Sequence, residues 1–342
     1  MSMRAKILLI YTGGTIGMVK DYQTGALRAF DFKELVNNVP ELNQLACDLS
    51  GVSFKVPIDS SNVSPLHWKR IAELIRDNYE KYDGFVVLHG SDTMSYSASA
   101  LSFMLENLDK PVIFTGSQLP IGDLRTDAKE NLITSIQIAT LKEDESPVIQ
   151  EVGLYFEYKL YRGNRTTKLN AEHFEAFASL NHPPLVESGV HLNVSHSSLY
   201  RKTNAEAFGI HTKMDSNVAI LKLFPGIGQP LVRTLCNTPG LKALILETYG
   251  AGNAPLEAWF LAEVKQAIES GLFVINVTQC IGGSVQPGQY ETSRKLMEMQ
   301  VANGKDITTE SALAKTMYLL GKNLSALEFK AIFERSLRGE MV

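Results

Sequence analysis

The sequence predicts an α/β protein built on parallel sheets. Two features indicate this class: short apolar runs that end in small polar residues, and helix-like patterns between those runs. The runs are KILLIYTGGT, FKVPIDSSN, GFVVLHGSDT, PVIFTGSQLP and EVGLYFEYKLYRGN, and the helix-like stretches are 65–82, 95–108 and 127–140. Strands that alternate with helices form parallel sheets with helices on both faces. Ligands of such sheets bind at the carboxyl ends of the strands, so we expect the polar ends of the runs to meet at one edge.

The chain has 342 residues, which is long enough for two domains. The alternation stops between residues 181 and 215, where the chain is polar and lacks long periodic segments, and it resumes with VAILKLFPG. We therefore predict an N-terminal α/β domain over 1–197, a linker over 198–216 and a C-terminal α/β domain over 217–342.

The composition is typical of a globular protein and excludes several classes of function. The net charge is -4, so the chain lacks the basic surface that nucleic-acid binding needs. Cys47, Cys236 and Cys280 are far apart and show no zinc spacing, which favours a reducing compartment. No apolar stretch is long enough to span a bilayer, and the first apolar run is too short for a signal sequence. We expect a cytoplasmic protein that binds neither nucleic acid nor a membrane.

Three hydroxyls and one carboxylate lie at the predicted sheet edge. Thr15, Ser60, Ser91 and Asp92 each follow a predicted strand. These residue types are also common at such turns because they cap the following helix. A threonine hydroxyl is a weak nucleophile that needs a nearby proton acceptor. If Thr15 reacts, another strand end has to supply that acceptor.

The sequence offers more than one candidate for the proton acceptor. His89 is one, although a histidine at the end of a buried strand is more often packed and hydrogen-bonded. Lys168, in RGNRTTK, also follows a strand, and a lysine beside a carboxylate can serve as a base. Spacing alone does not distinguish Lys168 from its neighbour Arg165.

Motifs of several other chemistries are absent from the sequence. It contains no G-x-G-x-x-G and no G-x-x-x-x-G-K-[ST], which argues against a nucleotide-binding protein. G-x-S-x-G and H-E-x-x-H are also absent, and the seven histidines show no metal spacing. The residues alone therefore indicate an enzyme that acts on a small polar molecule, and they leave its reaction open.

Six segments, in order over essentially the whole chain, carry a family resemblance: TGGTIGM, DSSN, GFVVLHGSDTMSYSASALSFMLENLDKPVIFTGSQ, YRGNRTTK, ETYGAGNAP and NVTQC. They are similar to the bacterial type I, cytosolic L-asparaginases. The resemblance implies a large flavodoxin-like N-terminal α/β domain and a smaller C-terminal α/β domain. It also implies hydrolysis of L-asparagine to L-aspartate and ammonia by a homotetramer, with no metal or organic cofactor.

The resemblance further implies a catalytic role for individual residues. Thr15, the second threonine of TGGT, is the expected nucleophile. Ser91 stands where most family members have threonine, and it supplies a second hydroxyl. Asp92 and Lys168 complete the expected proton-transfer group. Tyr22 lies in the loop whose tyrosine, in the family, orients the nucleophile.

The same resemblance implies that a neighbouring set of residues binds the substrate. The α-carboxylate and the amine of the substrate are expected to be held by Asp59, Ser60, Ser61, Ser91 and Asp92.

The resemblance leaves structural roles for two other residues: Thr12 supplies a turn hydroxyl, and His89 is a packed histidine. Two alternatives stay open. One is a non-catalytic protein of the same fold that binds a small amide or amino acid, and the other is an amidohydrolase for a related amide.

Overall fold

The computed structural model describes residues 4–20, 27–29, 35, 39–202, 204–288 and 291–342. The chain forms two compact units, Met1–Thr212 and Lys213–Val342. Each unit has its own sheet with parallel strands, so the predicted α/β class is confirmed. The division between the two units falls inside the segment 198–216 that the sequence predicts as a linker.

The N-terminal unit contains one large sheet, helices packed against it and several short ladders. Its described strands are β1 (Ala5–Gly13), β2 (Met18–Lys20), β3 (Leu27–Ala29), β4 (Cys47–Ile58), β5 (Gly84–Leu88), β6 (Leu105–Glu106), β7 (Val112–Thr115), β8 (Lys142–Glu143), β9 (Ser146–Pro147), β10 (Val152–Phe156), β11 (Lys159–Arg162), β12 (Thr167–Lys168), β13 (Phe177–Ala178), β14 (Val186–Ser188), β15 (Leu192–Val194) and β16 (Gly209–Ile210). Its described helices are α1 (Pro65–Asn78), α2 (Met94–Met104) and α3 (Ala128–Ala139).

The large sheet has the strand order β15-β14-β11-β10-β7-β5-β1-β4. Strands β4, β1, β5, β7 and β10 are parallel, and β11, β14 and β15 extend the sheet in antiparallel pairings. Every residue of β5 is buried, which explains why its sequence is a continuous apolar run. Both faces of the sheet are therefore covered at β5.

Two of the predicted helices are longer than the ones observed. The stretch 65–82 contains α1 and then a separate 3₁₀ turn at Tyr79–Lys81. The stretch 95–108 contains α2, but the residues that follow α2 form β6, which pairs with β16. Because this partner lies about a hundred residues further along the chain, local periodicity does not reveal where α2 ends.

The C-terminal unit has a smaller sheet with the order β17-β18-β19-β20, and all of its pairings are parallel. Its described strands are β17 (Val218–Lys222), β18 (Ala243–Thr248), β19 (Phe273–Thr278) and β20 (Ala302–Asn303), and its described helices are α4 (Gln229–Cys236), α5 (Ala258–Glu269), α6 (Glu291–Glu298), α7 (Thr309–Gly321) and α8 (Ala326–Phe333). None of the helices described in either unit combines the length and the hydropathy that crossing a bilayer requires.

An ion pair without solvent exposure fixes the C-terminal end of the chain. The side chains of Lys315, on α7, and Glu340 are both 0% exposed, and Nζ and Oε1 are 2.5 Å apart. Lys315 Nζ also donates to the carbonyls of Phe333 and Arg335, at 2.6 and 2.7 Å. Burial lowers the pKa of Lys315, and the charge of Glu340 opposes that shift. Removal of either partner would leave an uncompensated charge in the interior and destabilise the fold.

A chain of buried hydrogen bonds links two helices to the end of β5. Trp68 Nε1, on α1, donates to Ser97 Oγ, on α2, at 2.9 Å. The Ser97 hydroxyl is 2.9 Å from His89 Nε2, and His89 Nδ1 is 2.7 Å from the carbonyl oxygen of Gly90. Because a carbonyl can only accept, Nδ1 carries the proton of a neutral ring and Nε2 accepts from Ser97. Burial lowers the pKa of His89 to about 4, which keeps the ring neutral. His89 thus fixes the backbone that leads into Ser91.

We predict that Lys315→Met destabilises the protein by about 3–5 kcal/mol, because it leaves a buried carboxylate without its countercharge. Chemical denaturation followed by circular dichroism measures the change. Lys265→Met is a matched control, because Lys265 and Glu269 form a pair with side chains that are 65% and 66% exposed. The control should change the free energy of unfolding by no more than about 0.5 kcal/mol. Equal effects of the two substitutions would show that burial of the pair is unimportant.

A second prediction concerns pH. His89 has a pKa of about 4 in the folded chain, so between about pH 6.5 and pH 4 the unfolded chain binds a proton that the folded chain does not. The stability that depends on neutral His89 is complete above pH 6.5 and is lost as the pH falls towards 4. We expect the free energy of unfolding of the parent, relative to His89→Gln, to fall by about 2–3 kcal/mol between pH 7 and pH 4.5. A difference that stays constant over this range would contradict the assignment.

Candidate active site

Three neighbouring strands end in turns that carry candidate residues. β5, β1 and β4 are adjacent in the sheet, and each is followed by a single 3₁₀ turn. These turns are Thr15–Gly17 after β1, Ser60–Asn62 after β4 and Ser91–Thr93 after β5. Since parallel strands end at the same edge, the turns lie together at the carboxyl end of the sheet, where a ligand of this class of fold binds.

The backbones of these turns are in direct contact, and glycine makes that contact possible. A methyl group added at Gly14, whose φ is 84°, would lie 2.4 Å from the backbone nitrogen of Gly90. A methyl group at Gly90 would lie 2.6 Å from Ser60 Oγ. Real side chains do not approach this closely, so both positions need glycine. Thr93 Oγ1 adds a hydrogen bond to the carbonyl of Ser60 at 2.7 Å.

The two threonines of TGGT lie in different environments. Thr12 is 3% exposed, and its hydroxyl donates to the carbonyl of Leu88 at 2.9 Å. Thr15 is half-buried and begins the turn at the sheet edge. The other end of this turn is held by Tyr11, whose hydroxyl donates to the carbonyl of Gly17 at 3.0 Å. Burial raises the pKa of Tyr11 to about 12, so this hydroxyl keeps its proton. Of the two threonines, Thr15 is the one placed to meet a ligand.

Lys168 joins the hydroxyl and the carboxylate of the third turn. Its Nζ lies 2.9 Å from Ser91 Oγ and 2.7 Å from Asp92 Oδ1. The Lys168 side chain is 15% exposed and that of Asp92 is 68% exposed, so the carboxylate can accept a further donor from a ligand. Lys168 reaches this position from β12, which pairs with β13 in antiparallel register. Arg165, the alternative in the sequence, is 3% exposed and lies 3.5 Å from the carbonyl oxygen of Asn181.

Three of the expected binding residues, Asp59, Ser60 and Ser61, lie at the second turn. Asp59 Oδ1 accepts from both the backbone nitrogen and the hydroxyl of Ser61, each at 2.9 Å. These hydrogen bonds lower the pKa of Asp59, so its carboxylate is charged at neutral pH. Ser60 is 4% exposed and faces Gly90. Tyr22, the expected loop tyrosine, lies outside the described residues.

Sequence reasoning missed Gln118, which also reaches this edge. Ser91 Oγ donates to Gln118 Oε1 at 3.1 Å. The signal was present in the run PVIFTGSQLP, because Gln118 follows β7 just as the other candidates follow their strands. Within the described parts of the chain, no group of three or more histidine, cysteine, aspartate or glutamate side chains is arranged to hold a metal ion.

The arrangement combines three chemical elements at one sheet edge. Thr15 offers a hydroxyl, and the backbone of the Gly14 and Gly90 turns offers N–H groups. Ser91, Asp92 and Lys168 form a connected hydroxyl, carboxylate and amine. A nucleophile, donors for an oxyanion and a proton-transfer group are what acyl transfer from an amide requires.

Each of the two units contains a region that matches the sequence model of a known protein family. Residues 6–200 match the family described as Asparaginase, N-terminal, and residues 217–333 match the Glutaminase/Asparaginase C-terminal domain.

Individual relatives extend the similarity over the full chain. L-asparaginase 1 of Escherichia coli (strain K12) is 41% identical over 339 residues, which cover 99% of this chain and 98% of that protein. The 60 kDa lysophospholipase of Mus musculus is 38% identical over 363 residues, which cover 100% of this chain and 63% of that protein. The crystal structure of L-asparaginase I from Vibrio cholerae matches with a TM-score of 0.90 and 41% identity, covering 99% of this chain and 100% of that one. Sequence and fold agree over both units, and the chain belongs to the asparaginase family.

Proposed function

We propose that this chain is an enzyme that hydrolyses L-asparagine to L-aspartate and ammonia through an acyl-enzyme on Thr15. The observation that carries the proposal is the contact of Lys168 with both Ser91 and Asp92, on a turn whose backbone touches the Thr15 turn. An amide is a weak electrophile, and this geometry supplies both the base and the anion-stabilising groups that it needs. The full-length similarity to L-asparaginase 1 of E. coli supports the same substrate.

In the first half of the reaction, Thr15 Oγ attacks the side-chain amide carbon of asparagine. Ser91 Oγ accepts the proton of this nucleophile while Ser91 turns its own proton from Gln118 towards Lys168, which has to be an unprotonated amine in order to accept it. Backbone N–H groups of the Gly14 and Gly90 turns stabilise the oxyanion of the tetrahedral intermediate. When the intermediate collapses, the C–N bond breaks, the proton is returned to the nitrogen, and ammonia leaves. The product of this half-reaction is an aspartyl ester on Thr15.

In the second half, water attacks the same carbon along the same route. The proton of the water passes to the Ser91–Lys168 pair, and the ester bond to Thr15 breaks with return of a proton to Oγ. L-Aspartate is released and the resting hydroxyl is restored. Splitting amide hydrolysis into two acyl transfers lowers the barrier of each step.

Substrate recognition is assigned to groups that face the two charges on the α carbon of asparagine. Asp92 is largely exposed and can pair with the α-ammonium group. The α-carboxylate is assigned to the second turn, where Ser60 offers a hydroxyl and a backbone N–H, because both donors of Ser61 are held by Asp59. The reaction needs no metal and no organic cofactor, and we place it in the cytoplasm.

A hydrolase for a related amide is the second candidate, because residues 217–333 match a family described by glutaminase as well as asparaginase, and glutamine is such an amide. A non-catalytic binding protein of the same fold is the third. Ammonia release by the purified protein separates all three. We expect release from L-asparagine, and rapid release from other primary amides with none from asparagine would favour the second candidate. Binding of asparagine without ammonia release would favour the third.

The nucleophile is tested by Thr15→Val, which removes the hydroxyl at nearly constant volume. We expect kcat for asparagine to fall by at least about a thousandfold, because no acyl-enzyme can form. Thr12→Val is the matched control and should retain kcat within about tenfold, because the Thr12 hydroxyl only caps Leu88. Turnover by Thr15→Val at close to the parental rate would exclude the proposed mechanism.

Steady-state kinetics separate the roles of Lys168 and Asp92. Lys168→Met should lower kcat by about a hundredfold or more with little change in KM, as expected for loss of a general base. Asp92→Asn should raise KM as well as lower kcat, because its carboxylate serves both the substrate ammonium and Lys168. If Lys168→Met changes only KM, then Lys168 has a binding role and another group accepts the proton.

We also propose that the chain works as a homotetramer, as the family resemblance implies. Light scattering coupled to size exclusion should give the mass of four chains at micromolar concentration. An active protein that stays monomeric under these conditions would rule this out.

A further inference from the structure

Gln118 brings a fourth strand end into the site. It follows β7, which lies next to β5 in the large sheet, and its side chain reaches Ser91 on the turn after β5. It also reaches the segment that follows Lys168. Gln118 Nε2 donates to the carbonyls of Ala171 and His173, at 3.2 and 3.0 Å. One amide therefore connects the elements that carry Ser91 and Lys168.

These contacts fix which way the amide of Gln118 faces. Its NH₂ group must point towards residues 171–173, because carbonyl oxygens only accept hydrogen bonds. Oε1 then points to Ser91 and can only accept, so the Ser91 hydroxyl donates to it. The oxygen of Ser91 in turn accepts from Lys168 Nζ at 2.9 Å. In the resting state Gln118 thus holds the Ser91 proton, and a lone pair of Ser91 Oγ faces Lys168. The hydroxyl proton turns to Lys168 only during the transfer, while the position of Oγ stays the same.

Ser91 needs such a constraint because serine has no branch at Cβ. An unbranched side chain of this kind has three staggered χ1 positions open to it, whereas β-branching restricts χ1 in threonine. The Ser91 side chain is only partly buried, so packing alone leaves it room to turn. Hydrogen bonds from two directions select one rotamer.

The backbone that carries Gln118 is itself held firmly. The backbone nitrogens of Gln118 and Leu119 donate to the two carboxylate oxygens of Asp127, at 2.8 and 3.1 Å. Asn131 Nδ2, on α3, donates to the carbonyl of Gly116 at 3.0 Å and to Asp127 Oδ2 at 3.2 Å. Asp127 is 5% exposed and Asn131 is 0% exposed. A support of this rigidity can hold a functional hydroxyl in place.

We propose that Gln118 is a positioning residue for the reaction: it holds the Ser91 hydroxyl in the rotamer that faces Lys168, and so replaces the constraint that a β-branch would supply. The inference rests on the proposed function, in which Ser91 passes a proton between Thr15 and Lys168. Gln118 acts through its hydrogen bond to the Ser91 hydroxyl.

A double-mutant cycle tests the proposal. Gln118→Met removes the amide at similar size, and Ser91→Thr adds the β-branch. We expect Gln118→Met to lower kcat about tenfold or more in the parent and about threefold or less in the Ser91→Thr background, with KM for asparagine changed less than kcat in both. Gln137→Met, an exposed glutamine on α3, is the matched control and should leave kcat unchanged. Gln118→Ala repeats the comparison if Gln118→Met does not fold.

The outcome separates positioning from a general structural role. If Gln118 only anchors residues 171–173, Gln118→Met lowers kcat by the same factor in the parent and in the Ser91→Thr background. That result would show that the proposal is wrong. If kcat falls equally in both backgrounds and the parent is active, the proposed function is unaffected and only the role of Gln118 is overturned.

A second measurement does not depend on turnover. A high-resolution crystal structure of Gln118→Met should show Ser91 Oγ in a different or a divided rotamer, while the Ser91→Thr double variant keeps Oγ on Lys168. A single Ser91 rotamer facing Lys168 in Gln118→Met would overturn the proposal. An inactive parent would refute the proposed function, and this structural comparison would still decide the role of Gln118.

Discussion

Close backbone contact between the turns that follow β1, β4 and β5 is the constraint on which the candidate site depends. Gly14 lies against the backbone of Gly90, and Gly90 lies against Ser60, at distances that no Cβ could occupy. This contact places the hydroxyls of three strand ends within one small volume. In the proposed mechanism, backbone N–H groups of these turns stabilise the charge that develops on the amide oxygen. The glycines of TGGT and HGSD therefore allow the turns to touch. In the proposed mechanism, the side chains next to these glycines carry the chemistry.

Polar groups buried behind the site hold this edge in place. His89 fixes the carbonyl of Gly90 and takes its own support from Ser97 and Trp68. Asp127 performs a similar task for the Gln118 segment by accepting two backbone N–H groups. Both groups are satisfied by hydrogen bonds, so their burial orders the turns without leaving an unpaired polar atom. The hydroxyls of Thr15 and Ser91 can then stay partly exposed while the backbone beneath them is held in place.

The sequence predicts the parts of this arrangement that depend on local pattern. Thr15, Ser60 and Ser91 were expected at one edge because each follows an apolar run, and parallel strands end together. Lys168 could not be separated from Arg165 by spacing, since the antiparallel pairing of β12 with β13 decides which side chain reaches Asp92. Family resemblance was needed for that choice and for the identity of the reaction.

Other features were outside the reach of local pattern for a similar reason. Sequence analysis did not single out Gln118, because its partners lie at Ser91 and at 171–173, far apart in the chain. The end of α2 was placed too late, because β6 pairs with the distant β16. In both cases the deciding contact joins segments whose proximity is created only by the folded sheet.

The central claim is that catalysis passes through an ester on Thr15. Rapid acid quenching during turnover of L-asparagine, followed by peptide mapping with mass spectrometry, tests it directly. The account predicts an aspartyl adduct on the peptide that contains Thr15, which is lost in Thr15→Val. An adduct on another residue, or one that persists in Thr15→Val, would contradict it.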